Sequence, residues 1–230
     1  MTTGTTTYDL STTTLREVNS ALHALPEEGL SGDFEVTNLA GSHNVAVGLN
    51  APVKVSILGH VGYFAAGMNQ QAEVTINGNA GQGVAENMMS GVVHVTGSAS
   101  QSAGATGRGG LLIIDGDAGA RCGISMKGID IVVGGNIGHM SAFMAQRGCL
   151  VVRGDAGDAL GDSIYEARIY LRGTAKSLGA DCVEKPMEAE HLEELAGLLK
   201  AAGYEDDDLT AYKRYGSART LYHFTHDNEY

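Results

Sequence analysis

Glycine recurs at a fixed spacing of 19 residues through most of this chain. Each of these glycines follows a short run of aliphatic and β-branched residues, a composition that favours a β-strand. A period that holds over six intervals indicates a solenoid, in which each repeat is one coil that buries its apolar side chains by stacking on its neighbours. The repeat glycines are Gly59, Gly78, Gly97, Gly116, Gly135, Gly154 and Gly173.

The positions around each glycine predict the shape of one coil. The residues four and two before it are aliphatic in all seven coils, as Val55 and Ile57 are before Gly59. Because alternate residues of a strand share one face, these two positions predict the core. A second glycine commonly follows three residues after the first, and we interpret the pair as a bend made by positive φ angles. Since crossover connections are right-handed, the sequence predicts an all-β, single-stranded, right-handed parallel β-helix of seven or eight coils.

Three segments follow from this pattern. Residues 1–30 are predicted to be an N-terminal segment with a capping helix, in which Thr14 and Glu17 form a capping box. Residues 31–183 are predicted to be the β-helix itself. Residues 184–230 are predicted to be a helix that covers the far end, followed by a tail rich in tyrosine.

The first coil of the predicted β-helix is degenerate. It runs from Phe34 to Val47, and the 19-residue period places Ala40 at the glycine position and His43 at the second glycine position. Terminal repeats are commonly atypical because their outer edge must not stack on a further coil.

Composition and charge disfavour several classes of binding partner and cellular compartment. The formal net charge is −12, which disfavours non-specific binding to nucleic acid or to an anionic membrane. The three cysteines are widely spaced and fall at different positions of the repeat, as expected for free thiols in a reducing compartment. The N-terminal sequence resembles no signal peptide, and no apolar run is long enough to cross a membrane, so we expect a cytoplasmic protein.

A search for catalytic residues finds no strong candidate. A β-helix enzyme that acts on carbohydrate should carry paired carboxylates on one outer face, and the outward strand positions show none. Asp115, Asp117, Asp155 and Asp158 lie near corners, where an Asx-type turn is the usual role. The histidines are scattered over different positions, and we interpret His191 as a solvated helix residue. No metal site, catalytic residue or bound cofactor is therefore predicted in this chain.

The outward strand position three residues before the glycine becomes apolar in the later coils. Such a strip commonly marks a protein contact, although the chain's own tail could cover it instead. The tail is read in two ways, as a segment folded over the last coil or as an arm that anchors on another subunit, because Tyr and Arg are favoured in interfaces. The candidate interface residues are Ile113, Val132, Val151, Tyr170, Tyr212, Arg214, Tyr215, Arg219 and Tyr222.

The coil sequences resemble the GXGXG domain at the C-terminal end of the large subunit of glutamate synthase. The resemblance is carried by the 19-residue coils, by the helix and Tyr-rich tail, and by runs such as VTINGNAGQG, IIDGDAGARCG and VVRGDAGDALGDS. It covers nearly the whole chain from Tyr8. A free-standing chain of this kind is similar to the stand-alone GXGXG subunits of three-component relatives, chiefly that of N-methylglutamate synthase.

The resemblance implies a scaffold without catalytic residues. In the family, the β-helix lies between a glutaminase-like (amidotransferase) unit and a synthase unit that carries FMN and an iron–sulfur cluster. We therefore expect hetero-oligomeric partners of those two kinds, with the cofactors in a partner and not in this chain. A scaffold for another complex, such as formylmethanofuran dehydrogenase, and an independent β-helix carbohydrate enzyme remain the alternatives.

Overall fold

The computed structural model describes residues 5–28 and 32–219. They form a parallel β-solenoid of about seven turns, with about 19 residues per turn. Eleven strands make a single sheet in the described residues, in the order β1-β2-β3-β4-β5-β6-β7-β8-β9-β11-β10. The strands are β1 (Thr6–Asp9), β2 (Asp33–Thr37), β3 (Lys54–Ile57), β4 (Glu73–Ile76), β5 (Val92–Val95), β6 (Leu111–Ile114), β7 (Asp130–Val133), β8 (Cys149–Val152), β9 (Arg168–Leu171), β10 (Cys182–Lys185) and β11 (Lys213–Ser217). The helices are α1 (Leu15–Glu28), α2 (Ala189–Ala201) and a short 3₁₀ helix (Leu209–Ala211).

The core consists of aliphatic ladders that run along the stack of coils. Strands β2 to β9 pair in parallel, and Val55 lies opposite Val74 in the register that repeats to Ile169. A second ladder begins at Ile57 and ends at Leu171, and its members are fully buried. The predicted parallel coil and its two core positions are therefore confirmed.

The repeat glycines are required by close stacking and not by positive φ. Among the reference glycines, only Gly59 has a positive φ. A Cβ on Gly78 would lie 2.8 Å from the carbonyl carbon of Gly59, and one on Gly81 would lie 2.6 Å from the same atom of Gly62. Real Cβ atoms do not approach backbone so closely. The interpretation of the glycine pair as a positive-φ bend was wrong, since the corner leaves no room for a side chain between successive coils.

Positive φ angles occur further along each coil, mostly at residues other than glycine. In one coil they fall at Phe64, Ala66 and Met68, and the pattern repeats at equivalent positions of later coils. The middle position of each set is a small residue, namely Ala66, Ala85, Gly104, Gly123, Ala142 and Gly161. Left-handed backbone costs energy for a residue with a Cβ, so these turns depend on the stacked neighbours that hold them.

A hydrogen-bond ladder fastens the corner that follows each strand. The polar side chain directly after a repeat glycine accepts a hydrogen bond from the backbone N–H of the equivalent residue in the next coil. For example, Asn136 N–H donates to Asp117 Oδ1 at 2.7 Å, and Thr174 N–H donates to Asp155 Oδ1 at 2.7 Å. These aspartates therefore connect successive coils, and the expected Asx-type turn was wrong. The ladder continues through His60, Asn79, Ser98, Asp117, Asn136, Asp155 and Thr174.

Helix α1 covers the N-terminal end of the solenoid, as predicted. Thr14 N–H donates to Glu17 Oε2 at 2.8 Å and Glu17 N–H donates to Thr14 Oγ1 at 3.3 Å, which confirms the capping box. Val18 and Leu22 are buried in the core. Asn19 also satisfies the open edge of the first coil, because its amide donates to Asn44 O and accepts from Ala46 N–H.

The degenerate first coil departs from the 19-residue period at one corner. Phe34 lies opposite Val55, a separation of 21 residues. Gly62 N–H nevertheless donates to Ser42 O, as in the regular coils. Two extra residues therefore lie in the corner after β2. The 19-residue period predicted Ala40 opposite Gly59, and the strand register does not place it there.

The far end differs from the prediction. Strands β10 and β11 form an antiparallel pair, and β11 also pairs with β9 in antiparallel fashion. This pair, and not a helix, extends the sheet beyond the last coil. Helix α2 instead lies against β7 and β8 on the outer face of the sheet. The expectation that the C-terminal helix covers the end was therefore wrong.

Candidate functional site

The outer face of β6 to β9 carries the apolar strip that the sequence singles out. Val132, Val151 and Tyr170 are fully buried, and Ile113 is 5% exposed. Leu195 and Leu199 of α2, together with Tyr212, pack with this strip in a second apolar cluster outside the solenoid core. The strip is covered by the chain's own C-terminal segment, so the prediction that it is an exposed docking surface was wrong.

The sequence positions of the strip and the helix explain this cover. The same outward column is polar in the earlier coils, where Ser56, Thr75 and His94 remain partly exposed. It becomes apolar only from Ile113 onward, which is the region that α2 contacts. Covering an aliphatic strip removes apolar surface from water at about 25 cal/mol per Å², and this burial draws the helix onto the face.

A polar clamp fastens the segment that follows α2. The guanidinium of Arg153 donates to both carboxylate oxygens of Asp207, at 2.7 and 2.8 Å. The same guanidinium lies 3.9 Å from the ring centroid of Tyr204, a cation–π contact. Tyr204 Oη donates to Asp115 Oδ1, and Tyr212 Oη donates to Asp207 Oδ2. The hydrogen bonds from Arg153 lower the pKa of Asp207, which therefore stays ionised at neutral pH.

A second polar group lies on the side of α2 that faces β8 and β9. Glu194 accepts hydrogen bonds from Arg168 and from the hydroxyl of Tyr170. Burial raises the pKa of Glu194, but the hydrogen bond from Tyr170 and the charge of Arg168 lower it, and the net shift is downward. Burial, together with the adjacent carboxylate, raises the pKa of the Tyr170 hydroxyl. Tyr170 therefore remains protonated and acts as a donor.

A cleft of about 320 Å³ opens beside this group. Burial raises the pKa of Asp130, whose Oδ1 accepts a hydrogen bond from Cys149 N–H at 2.9 Å. Burial and the nearby carboxylates raise the pKa of the Cys149 thiol, so no thiolate is available as a nucleophile. The cleft has both signs of charge but no activated nucleophile among its walls. Its lining residues are Gly128, Asp130, Arg147, Gly148, Cys149, Glu166, Arg168 and Glu194.

Within the described residues, the one grouping with metal-ligand geometry is Glu188, Glu190 and His191. His191 is buried, and its Nδ1 accepts a hydrogen bond from Glu188 N–H at 3.1 Å. The interpretation of His191 as a solvated residue was therefore wrong, because it closes the capping box of α2. The two glutamates are exposed, as carboxylates in a first helical turn commonly are.

The tail residues of the candidate interface lie against the chain's own last coil. Tyr212 and Tyr215 are buried, and Arg214 donates to Pro186 O at 2.8 Å. Arg219 pairs with Asp181. Over these residues the tail is a segment folded over the last coil, so the prediction of an arm that reaches another subunit was wrong. Tyr222 lies outside the described residues.

Sequence reasoning missed the residues of the clamp. Arg153 and Arg172 occupy the same position in successive coils, directly before the repeat glycine, and both approach Asp207. The acidic run EDDDL after α2 was the available signal for this ion pair, because two arginines stacked in successive coils favour a carboxylate partner. The pairing spans 54 residues, and no local pattern identifies which aspartate is used.

The described residues thus define a single-chain β-solenoid with its apolar outer strip closed by its own C-terminal helix. None of the described helices is long and apolar enough to cross a membrane. No family profile matches the chain. The chain is 63% identical over 220 residues to Protein GlxC of Rhizobium meliloti (strain 1021), with 96% of each chain covered. The chain belongs to the GlxC family.

Proposed function

We propose that this chain is a structural subunit, without catalytic residues of its own, of a glutamate-synthase-related complex. The resemblance of its coils to the GXGXG domain supports the family of the complex. The identity to GlxC extends over nearly the whole chain, so the coils, α2 and the clamp segment all belong to the shared unit.

One observation carries the absence of a catalytic role. The polar groups that contact α2 and the segment after it are paired with one another, Arg153 with Asp207 and Arg168 with Glu194. The thiol beside them is held protonated. A general acid, base or nucleophile must be free to exchange a proton or to attack, and these groups hold the C-terminal segment in place instead.

The proposed complex is N-methylglutamate synthase, which converts glutamate and methylamine to N-methylglutamate and ammonia. This chain would hold an amidotransferase-like subunit and a synthase-like subunit together. FMN and the iron–sulfur cluster would reside in the synthase-like partner, and this chain would supply a rigid surface for the assembly.

The test is purification of the tagged chain from its own host. We expect two further subunits and a flavin absorbance spectrum to accompany it, and the eluate should form N-methylglutamate from glutamate and methylamine. The isolated chain should form none. Product formation by the isolated chain would refute the structural role. A partner set without a flavin protein would refute the assignment to N-methylglutamate synthase and favour a scaffold of another kind, such as that of formylmethanofuran dehydrogenase.

A further inference from the structure

One longitudinal edge of the solenoid combines exposed thioethers with cations that form no ion pair among the residues that the structure describes. We call it the basic edge and define it by Met68, Met89, Arg108, Lys127 and Arg147. Met89, Arg108 and Lys127 occupy the same position of consecutive coils. The backbone of Lys127 forms a parallel β-bridge with that of Arg147, which places Arg147 in the next coil of the same series. Met68 lies beside this series: Met89 N–H donates to Asn69 O as Arg108 N–H does to Met88 O, so Gln70 is the residue level with Met89, and Met68 precedes Gln70 by two residues.

The side chains of the basic edge point into solvent. Met68 is 49% exposed and Met89 is 41% exposed, although methionine is usually buried. Arg108, Lys127 and Arg147 are exposed as well. The protein therefore presents Met89 in line with three positive charges, and a second exposed thioether, Met68, in the neighbouring coil.

In the described part of the chain, none of these three cations has a carboxylate within 4 Å. Burial raises the pKa of Asp130, and the charge of Arg147 offsets only part of this rise; the two residues form no ion pair. Arg16, Arg121, Lys185, Lys200 and Arg214 also form no ion pair among the described residues, so the stacking of Arg108, Lys127 and Arg147 in successive coils is what distinguishes this edge. The paired cations are Lys54, Arg153, Arg168, Arg172, Lys176, Lys213 and Arg219. The carboxylates of Asp130 and Glu166 line the cleft together with Arg147, so they lie at this end of the basic edge without forming an ion pair with that arginine.

Stacking makes the arrangement unfavourable for the isolated chain. Coils lie about 4.8 Å apart, so the like charges of neighbouring coils repel one another. Methionine and arginine are both enriched in protein–protein interfaces, where Met adapts to the opposing surface and Arg pairs with carboxylates. A partner that brings negative charge would remove the repulsion and cover the thioethers together.

We propose that the basic edge docks a partner subunit of the complex, through a surface with carboxylates opposite Arg108, Lys127 and Arg147 and apolar side chains opposite Met68 and Met89. The inference rests on the proposed function, since it assigns the surface that one of the partners uses. A second copy of this chain is a poor occupant, because two basic edges placed face to face repel. The net charge of −12 likewise disfavours nucleic acid.

The first experiment is methionine oxidation by hydrogen peroxide, followed by mass spectrometry, on the purified complex and on the isolated chain. We expect the oxidation rates of Met68 and Met89 to fall about fivefold or more in the complex. Met88 and Met126 are fully buried and serve as internal controls, since they should react slowly in both samples. Unchanged rates for Met68 and Met89 in an intact complex would overturn the inference and leave the proposed function standing.

The second experiment is charge reversal with a matched control. The triple variant R108E/K127E/R147E should reassociate with the partner subunits about tenfold more slowly at low salt, and the difference should shrink at high salt. The control R16E/R121E/K200E changes the same residue types, all of them exposed, and should differ less than twofold from the parent. Equal effects of the two triples would overturn the assignment to this edge.

Three other outcomes would also overturn the inference. If no partner accompanies the chain, the proposed function and the docking surface both fail. If Met68 and Met89 become protected in the isolated chain as its concentration rises, with a dimer seen by light scattering, the occupant is a second copy and the inference is overturned. Protection that nuclease treatment abolishes would assign the edge to nucleic acid and overturn it equally.

Discussion

Replacing a repeat glycine by alanine tests whether close stacking explains the glycine period. In Gly135→Ala, the added Cβ would overlap Asp117 Oδ1 and lie 2.9 Å from Gly116 O. The same carboxylate oxygen accepts the ladder hydrogen bond from Asn136 N–H at 2.7 Å. The substitution therefore crowds the preceding coil and displaces one rung of the ladder. Gly135 is not among the positive-φ glycines, so alanine introduces no backbone strain of that kind.

The magnitude follows from these two effects. Overpacking costs about 1–3 kcal/mol, and loss of a hydrogen bond to a charged acceptor costs about 1.5–3 kcal/mol. The carboxylate at this exposed corner regains water, so we expect a total loss of about 3 kcal/mol in the free energy of unfolding. For a chain of this length, that corresponds to a decrease in Tm of roughly 6–12 °C.

The matched control is Gly197→Ala in the middle of α2, where an added Cβ meets nothing within 4 Å. This change should raise the free energy of unfolding by about 0.5–1 kcal/mol, because alanine favours helix over glycine. Both variants are measured by urea and thermal unfolding, followed by circular dichroism. Unchanged stability of Gly135→Ala, or equal shifts in both variants, would refute the stacking explanation.

Three further predictions concern the outer face and the thiols. Val132→Asp should lower the free energy of unfolding by about 3 kcal/mol and expose α2 to proteolysis, because it buries an unpaired carboxylate; an unaltered cleavage rate would contradict the cover by α2. Asp207→Asn should cost about 2–4 kcal/mol near pH 7, whereas Asp206→Asn, at an exposed neighbour, should be nearly neutral. The pKa of Asp207 in the folded chain lies below its ordinary value, so its contribution to the free energy of unfolding is complete above the ordinary pKa and is lost as the pH falls below about 4. A stability difference between the Asp207 variant and the parent that does not change with pH would be inconsistent with the clamp. Burial raises the pKa of Cys122 to about 12 and of Cys182 to about 11, so a thiol reagent at pH 8 should label them only after unfolding, and rapid labelling of the native chain would contradict their burial.

The parallel coil could be predicted from local pattern because a solenoid repeats one environment many times. Val74 and Ile76 meet the same neighbours as Val93 and Val95, so the period of 19 residues determines both the register and the buried face. The capping box at Thr14 was equally predictable, since its partners lie three residues apart. The register of the first coil could not be predicted, because two extra residues in one corner leave the pattern of the flanking residues unchanged.

The candidate site shows where the sequence alone was insufficient. The sequence identified an apolar outer column, an amphipathic helix and a cluster of tyrosines, but it did not show which other surface each of them packs against. Leu195 could pack on the end of the solenoid, on Val132 or on another subunit, and the hydrophobic effect has no direction that distinguishes these.

The amino-acid sequence by itself determined the solenoid, its period, its core ladders and the spacing of the repeat glycines. These depend on contacts between equivalent residues of successive coils, and such contacts follow from the repeat. Only the tertiary structure decided that α2 lies on the outer face and that Arg153 meets Asp207. Those contacts join unlike segments far apart in the chain, and they are chosen by the shape and charge of surfaces that exist only after the coils have stacked.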